Sequence, residues 1–277
     1  MKLTKLATVF SLIAVIVFGC NDSDRDDDTT TQATADNAIA ENLFNDMFRQ
    51  VHKVILLDTL LNGQDTTYPY ELCFDTIFKT PNVAVYPLTL TIDFGNDQIE
   101  CSDGRVRSGK IQATLNAPYA SSGSSIEIVA DSFYIDDYSL EGKIRMDFDE
   151  NSGVFPNFDR TISDGKAYKE GVGYAEKDIR YEAEQRVLIV NGKNTESPDD
   201  DEFQITGTTS GRNSRGATYT TTTVEPHRVS ISCLYEYKGS YDLNIENLSP
   251  RSVDLGNNCD NKVTVTINNG DHTITLP

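Results

Sequence analysis

The chain has 277 residues, 38% of them hydrophobic and 24% charged, with no tryptophan. That suffices for a substantial core in one or two domains and excludes both a multi-pass membrane protein and a wholly disordered chain. Aspartate and glutamate outnumber lysine and arginine by 43 to 24, for a net charge of −19. Such a charge repels nucleic acid and anionic bilayers, so no nucleic-acid partner is expected.

Lys2 and Lys5 precede an apolar run from Leu6 to Phe18 that ends Val17-Phe18-Gly19-Cys20. A basic start, a short apolar stretch and a small residue before cysteine predict a lipoprotein signal peptide over residues 1–19, with Cys20 as the lipidated N-terminus. Phe18 is larger than the residue usual at its position. The run is short for a membrane-spanning helix, whereas acyl chains contributing about 0.8 kcal/mol per buried CH₂ make a firm anchor. Residues 20–35 open with Asp22, Asp24, Asp26, Asp27 and Asp28 and hold too little apolar surface to fold, so they read as an acidic disordered tether. The block resembles the acidic export tag that carries lipoproteins of Bacteroidota to the outer face of the outer membrane. The expected location is therefore the outer membrane, lipid-anchored, on the extracellular face.

Residues 36–66 read as a helix and a connecting segment. Ile39, Leu43, Phe44, Met47, Phe48 and Val51 recur at helical spacing, which predicts one amphipathic helix from Asp36 to Val51, capped by Asp36 and packed by a single face on a sheet. The run Val54 to Leu61 fits a weak helical continuation or a buried strand, closed by Asn62-Gly63.

Beyond residue 67 the pattern is β. Leu88–Ile92, Val229–Cys233 and Val263–Ile267 alternate apolar with polar residues, the period of a half-buried strand. Asp103-Gly104, Asp164-Gly165, Asn191-Gly192 and Asn269-Gly270 are hairpin dipeptides, so antiparallel connections dominate. Ile92-Asp93-Phe94-Gly95-Asn96 followed by Cys101 is repeated as Val253-Asp254-Leu255-Gly256-Asn257 followed by Cys259, with Cys73 and Cys233 upstream at similar distances. The chain is read as two related β units, residues 67–190 and 191–277. Four cysteines beyond Cys20 allow three pairings in an oxidising compartment. The repeat favours Cys73 with Cys101 and Cys233 with Cys259, each bridge worth roughly 3 kcal/mol.

Leu90-Thr-Ile-Asp-Phe-Gly with Cys101, Asp103-Gly104-Arg105 and Arg107-Ser108-Gly109-Lys110-Ile111, together with Asp201-Glu-Phe-Gln-Ile-Thr-Gly207, Ser210-Gly-Arg-Asn-Ser-Arg-Gly216, Cys233 and Val253-Asp-Leu-Gly before Cys259-Asp-Asn-Lys, resembles a signature of uncharacterised exported lipoproteins of Bacteroidota, chiefly flavobacteria. The resemblance runs from about residue 70 to the end. It implies an exported β-rich lipoprotein and no particular activity. Members commonly approach their last cysteine through Tyr-Gly-Asp-Gly-Thr-Cys and carry tryptophans, where this chain has Leu255-Gly256-Asn257-Asn258 and none.

Chemical motifs are mostly negative. Gly104 to Ile111 approaches a phosphate-binding loop, but Ile111 replaces the Mg²⁺-holding hydroxyl, so Arg105, Arg107 and Lys110 read as a solvated strand edge. Asp147, Asp149 and Asn151 space oxygens as a calcium loop does, although Ser152 and Phe158 stand where glycine and glutamate are needed. They remain the candidate metal residues. His52, His227 and His272 stand singly, and no hydrolase elbow or zinc-protease motif occurs. Phe133, Tyr134 and Tyr138, and Tyr235, Tyr237 and Tyr241, form two aromatic stretches. Tyr235 and Tyr237, read as alternating on a strand, are the candidate binding pair.

The expectation is an all-β, antiparallel, sandwich-like body with one short N-terminal helix and two disulfides. No enzymatic activity and no cofactor are expected. The role is structural or binding, the partners being the membrane through its lipid and an outer-membrane protein or a glycan; the alternative is a glycan-binding or glycan-processing accessory of an uptake system.

Overall fold

The computed structural model describes residues 29–58, 73–150, 157–169, 178–192, 195 and 197–277. The signal segment, Cys20, most of the tether, Asn62-Gly63 and Asn151 lie outside them.

The fold is antiparallel β with one helix. Helix α1 (Gln32–Leu57) is followed by β1 (Thr76–Thr80), β2 (Leu88–Asp93), β3 (Ile99–Glu100), β4 (Val106–Leu115), β5 (Ser125–Ile135), β6 (Tyr138–Phe148), β7 (Phe158–Lys169) and β8 (Ile179–Asn191). Then come β9 (Glu202–Arg212), β10 (Thr218–Glu225), β11 (His227–Ser230), β12 (Ser240–Ile245), β13 (Arg251–Asp254), β14 (Lys262–Ile267) and β15 (Gly270–Thr275). All belong to one sheet in the order β1-β2-β4-β5-β6-β7-β8-β9-β10-β12-β13-β14-β15, with β3 added to β4 and β11 to β9. The ladder from β8 to β9, Arg180↔Arg212 through Asn191↔Glu202, joins the two expected β units in this sheet.

Local chemistry explains the strand ends. Asp93 Oδ1 accepts from Gly95 N at 2.9 Å, and Asp254 Oδ1 from Gly256 N at 2.8 Å, so the repeated Asp-Φ-Gly ends β2 and β13 with the same Asx turn. The cysteines pair as the repeat indicates, Cys73 with Cys101 and Cys233 with Cys259, at Cα separations of 5.3 and 5.9 Å. Each bridge closes the open end of a hairpin, β1/β2 at one edge of the sheet and β12/β13 near the other, inside β14 and β15.

Several expectations need correction. Residues 32–35 are helical, so the tether stops short of residue 35, and Asp36 lies inside α1, where it accepts from Ser214 N and Oγ at 2.7 Å instead of capping. Every residue from Ala40 to His52 is buried. A stretch of that length covers all sides of a helix, so α1 is a core helix enclosed by the sheet, not one resting on it by a single face. Asp164-Gly165 is a bulge inside β7 and turns no hairpin. The final hairpin turns on Asn268 and Asn269, both at positive φ, one residue before the expected pair. Val229–Cys233 is a strand only as far as Ser230.

A crease makes the enclosure. Between β4 and β8 each successive ladder shifts register, at Ser108/Lys110, Val129/Phe133, Glu141/Lys143 and Ile162/Gly165. Aligned bulges bend strands together. A Cβ on Gly109 would lie 1.9 Å from the Ser132 carbonyl oxygen, and one on Gly165 would lie 2.2 Å from that of Tyr181 and 3.1 Å from the Phe44 ring. Only glycine permits these approaches.

Inside, two apolar clusters form. One surrounds Phe44, Met47, Phe48, Val51 and Ile55 with residues of β2 and β4 to β9. The other joins Ala33 to Tyr219, Tyr241, Leu243, Val253, Val265 and Leu276 from the last strands.

Candidate functional site

The outer face of the crease carries a cleft of about 550 Å³. Its floor is set by register. Ser108 pairs with Tyr134, Tyr134 with Ser139, and Ser139 with Tyr168, giving one lateral row of hydroxyl side chains across β4, β5, β6 and β7. The buried neighbours Phe133, Leu140 and Ala167 point inward, so strand alternation turns Tyr134, Ser139 and Tyr168 outward. The two tyrosines stand two strand spacings apart, about 9.6 Å. Ser132, Glu141, Asn96 and Gln98 complete the lining. Lys166 Nζ lies 4.8 Å from the Tyr168 ring centroid, a cation–π contact that fixes one flank of the ring. A second groove, of about 400 Å³, crosses β7 to β10; Thr161, Thr208, Thr220 and Thr222 line it with Glu182 and Glu184, and no aromatic does.

The residues singled out from sequence do not assemble. Tyr235 and Tyr237 lie in the connection after β11, not on a strand; Cys233 is bridged to Cys259, and Lys238 at positive φ turns the chain before β12. Tyr235 is half-buried and donates to the Pro277 carbonyl at 3.0 Å, while Tyr237 exchanges backbone hydrogen bonds with Arg228. They form no exposed platform. Asp147 ends on β6 held by Arg145 at 2.6 and 2.8 Å, and Asp149 is held by Arg186. Those guanidiniums already neutralise both carboxylates, and hydrogen bonding to Arg186 keeps the Asp149 carboxyl below its usual range. Of the first aromatic stretch Phe133 is core, whereas Tyr134 belongs to the cleft. Tyr168 carries little signal in the sequence, marked only by Ala167-Tyr168 alternation at the end of β7.

The expected solvated edge at Arg105 and Arg107 is also wrong: they are 5% and 1% exposed. Arg107 grips Asp46 of α1 through Nε at 2.9 Å and Nη2 at 2.6 Å and also binds Asp103. Burial alone would raise the Asp46 carboxyl, but the charge and hydrogen bonds of Arg107 outweigh it and hold it well below the ordinary range. Arg49 donates to the carbonyls of Cys233 and Leu234, both at 2.9 Å, and burial pulls its pKa down to about 10. His52 bonds Tyr119 at 2.8 Å and Asp201 at 2.7 Å, an enclosed triad that ties α1 to the sheet.

About three turns before His52, Glu41 accepts from Gln185 Nε2 at 2.7 Å, and Gln185 in turn accepts from Arg160. Asn45 donates to Glu236 at 2.9 Å, and His227 Nδ1 stands 3.4 Å from Glu236 Oε2. Burial, reinforced by Glu236, pushes the Glu41 carboxyl up to about 7.

No protein-family model, curated protein or solved structure matches this chain. The site therefore has to be read from its own residues. Among the described residues no helix is long and apolar enough to cross a membrane.

Proposed function

We propose that the protein is a lipid-anchored, surface-facing lipoprotein of the Bacteroidota type, held at the outer membrane through Cys20, whose outer cleft binds a neutral saccharide without processing it. The row Ser108, Tyr134, Ser139, Tyr168 carries the reading. A sugar ring offers an apolar C–H face, which suits the electron-rich face of a tyrosine, and a rim of hydroxyls, which suits serine, asparagine and glutamine. The net charge of −19 favours neutral over acidic sugars. Binding is preferred to hydrolysis because Glu141 is the one carboxylate in the lining, and glycosidic cleavage usually takes two. The basic start, the apolar run and Gly19-Cys20 support the anchor, and the acidic residues behind it support the outward address.

The test is calorimetric titration of the full-length, detergent-solubilised chain with neutral oligosaccharides. Tyr134→Ala and Tyr168→Ala are expected to weaken binding by about tenfold each, the worth of one aromatic contact, while Tyr235→Ala leaves it unchanged. A silent panel, or losses that follow Tyr235 instead, would overturn the assignment. Cys20→Ser is expected to abolish fatty-acid labelling and release the protein from membranes.

A further inference from the structure

We propose that Glu41, His227 and Glu236 form a binding site for one divalent first-row cation, of the zinc or manganese kind, inside the sheet. The saccharide cleft has no part in it. Among the described residues these three are brought together so that one donor atom from each lies within 4.8 Å of the other two. They come from α1, β11 and the connection between β11 and β12, so the convergence is a product of the tertiary fold.

The second observation is His227. Its side chain is 5% exposed, and neither ring nitrogen completes a hydrogen bond of good geometry; Nδ1 approaches Glu236 at 3.4 Å, and a further polar neighbour of the ring is the Ser240 backbone. Buried polar atoms in native proteins nearly always have partners, and an imidazole aimed at two carboxylates lacks what a cation supplies. The hydroxyls of Tyr181 and Tyr219 are likewise buried without partners. Glu41, Glu236 and Tyr241 line a small cavity about the size of one water-sized particle.

The outer contacts have the form metal sites use. Gln185 orients Glu41 and Asn45 orients Glu236, each through one amide hydrogen bond, as outer groups orient ligand carboxylates. Arg160 lies 3.9 Å from Glu41 Oε1 and offsets one of the two carboxylate charges. One nitrogen and two oxygen donors suit zinc or manganese better than calcium or magnesium, which prefer oxygen alone.

The experiment is metal analysis of the full-length, detergent-solubilised chain, stripped with EDTA, exposed to Zn²⁺ or Mn²⁺ and desalted. The expected result is one ion per chain, with calcium and magnesium not retained. His227→Gln and Glu236→Gln should weaken binding by at least about tenfold, the scale on which losing even an outer contact acts. Glu236→Gln keeps the oxygen that accepts from Asn45, so it preserves the packing. Pulsed EPR of the Mn²⁺-loaded parent gives a readout independent of variants, expected to show coupling to one histidine nitrogen. Background metal content, retention unaffected by both substitutions, or a Mn²⁺ spectrum without nitrogen coupling would each overturn the site.

Discussion

The β1/β2 edge of the sheet and the β12/β13 hairpin near its other edge are built from the same local device and back onto different interiors. At each end an aspartate closes an Asx turn on a glycine at positive φ, the residue between them is buried, and a disulfide ties the hairpin. At the first end that buried residue is Phe94, 5.4 Å from Phe133 in the larger apolar cluster. At the second it is Leu255, on the wall of the cavity shared by Glu41 and Glu236. Local sequence sets how a strand stops, whereas what the stop encloses is set by which part of α1 arrives behind it. The helix shows the same contrast in its carboxylates. Asp46 is held ionised by Arg107, and Glu41, just over a turn away, is pushed toward neutrality by burial and by Glu236.

The largest effect should come from Arg107→Met, which strands the buried Asp46 charge. A loss of about 3–5 kcal/mol is expected in urea unfolding, whereas Arg145→Met, at an exposed pair, should cost under about 1 kcal/mol. Asp46 also gives a pH signature. Its folded pKa lies below its unfolded value, so its contribution is complete above about pH 4 and is lost as pH falls further. Acid unfolding of Asp46→Asn combined with Arg107→Met should lack that limb.

Removing either bridge comes next. The sequence separations, 28 and 26 residues, predict nearly equal losses of about 3 kcal/mol from chain entropy. Cys233→Ser with Cys259→Ser should cost the more of the two pairs, because Arg49 anchors on the carbonyls of Cys233 and Leu234. Equal midpoints would show that this anchor is independent of its bridge. The smallest effects belong to the turns: Asp254→Ala is expected to cost about 1 kcal/mol, and Asp93→Ala slightly more because Asp93 also pairs with Lys110 at 2.9 Å.

What the sequence reveals follows from range. The antiparallel body, β2, the last hairpin and the disulfide pairing are legible because alternation, Asx turns and cysteine repeats act over a few residues or recur in register. The enclosed helix is not. Asn37, Glu41, Asn45, Asp46 and Arg49 look like a wet face, yet their partners Thr209, Gln185, Glu236, Arg107 and Cys233 lie 61 to 191 residues away. One signal was available: asparagine at 37, 42 and 45 is a poor choice for an exposed helix, and poor helix formers in a helix mark side chains with other duties. The cleft was half legible. Tyr134 stands out in its aromatic stretch, but its alignment with Tyr168 depends on two ladders and the bulge in each, which no short pattern encodes.

The enclosure also dictates an order of assembly. Arg251 Nη2 donates to the Thr30 carbonyl at 3.1 Å across a separation of 221 residues, and Leu276 shares a wall with Ala38, so the start of the helix is covered by strands far along the chain. Contacts of such separation close slowly. A chain still emerging, with β12 to β15 unmade, has the polar flank of its helix bare and its Glu236 side unclosed. Completion of the interior thus waits on β12 to β15, so the start of the helix and these strands are expected to gain protection together and not one after the other.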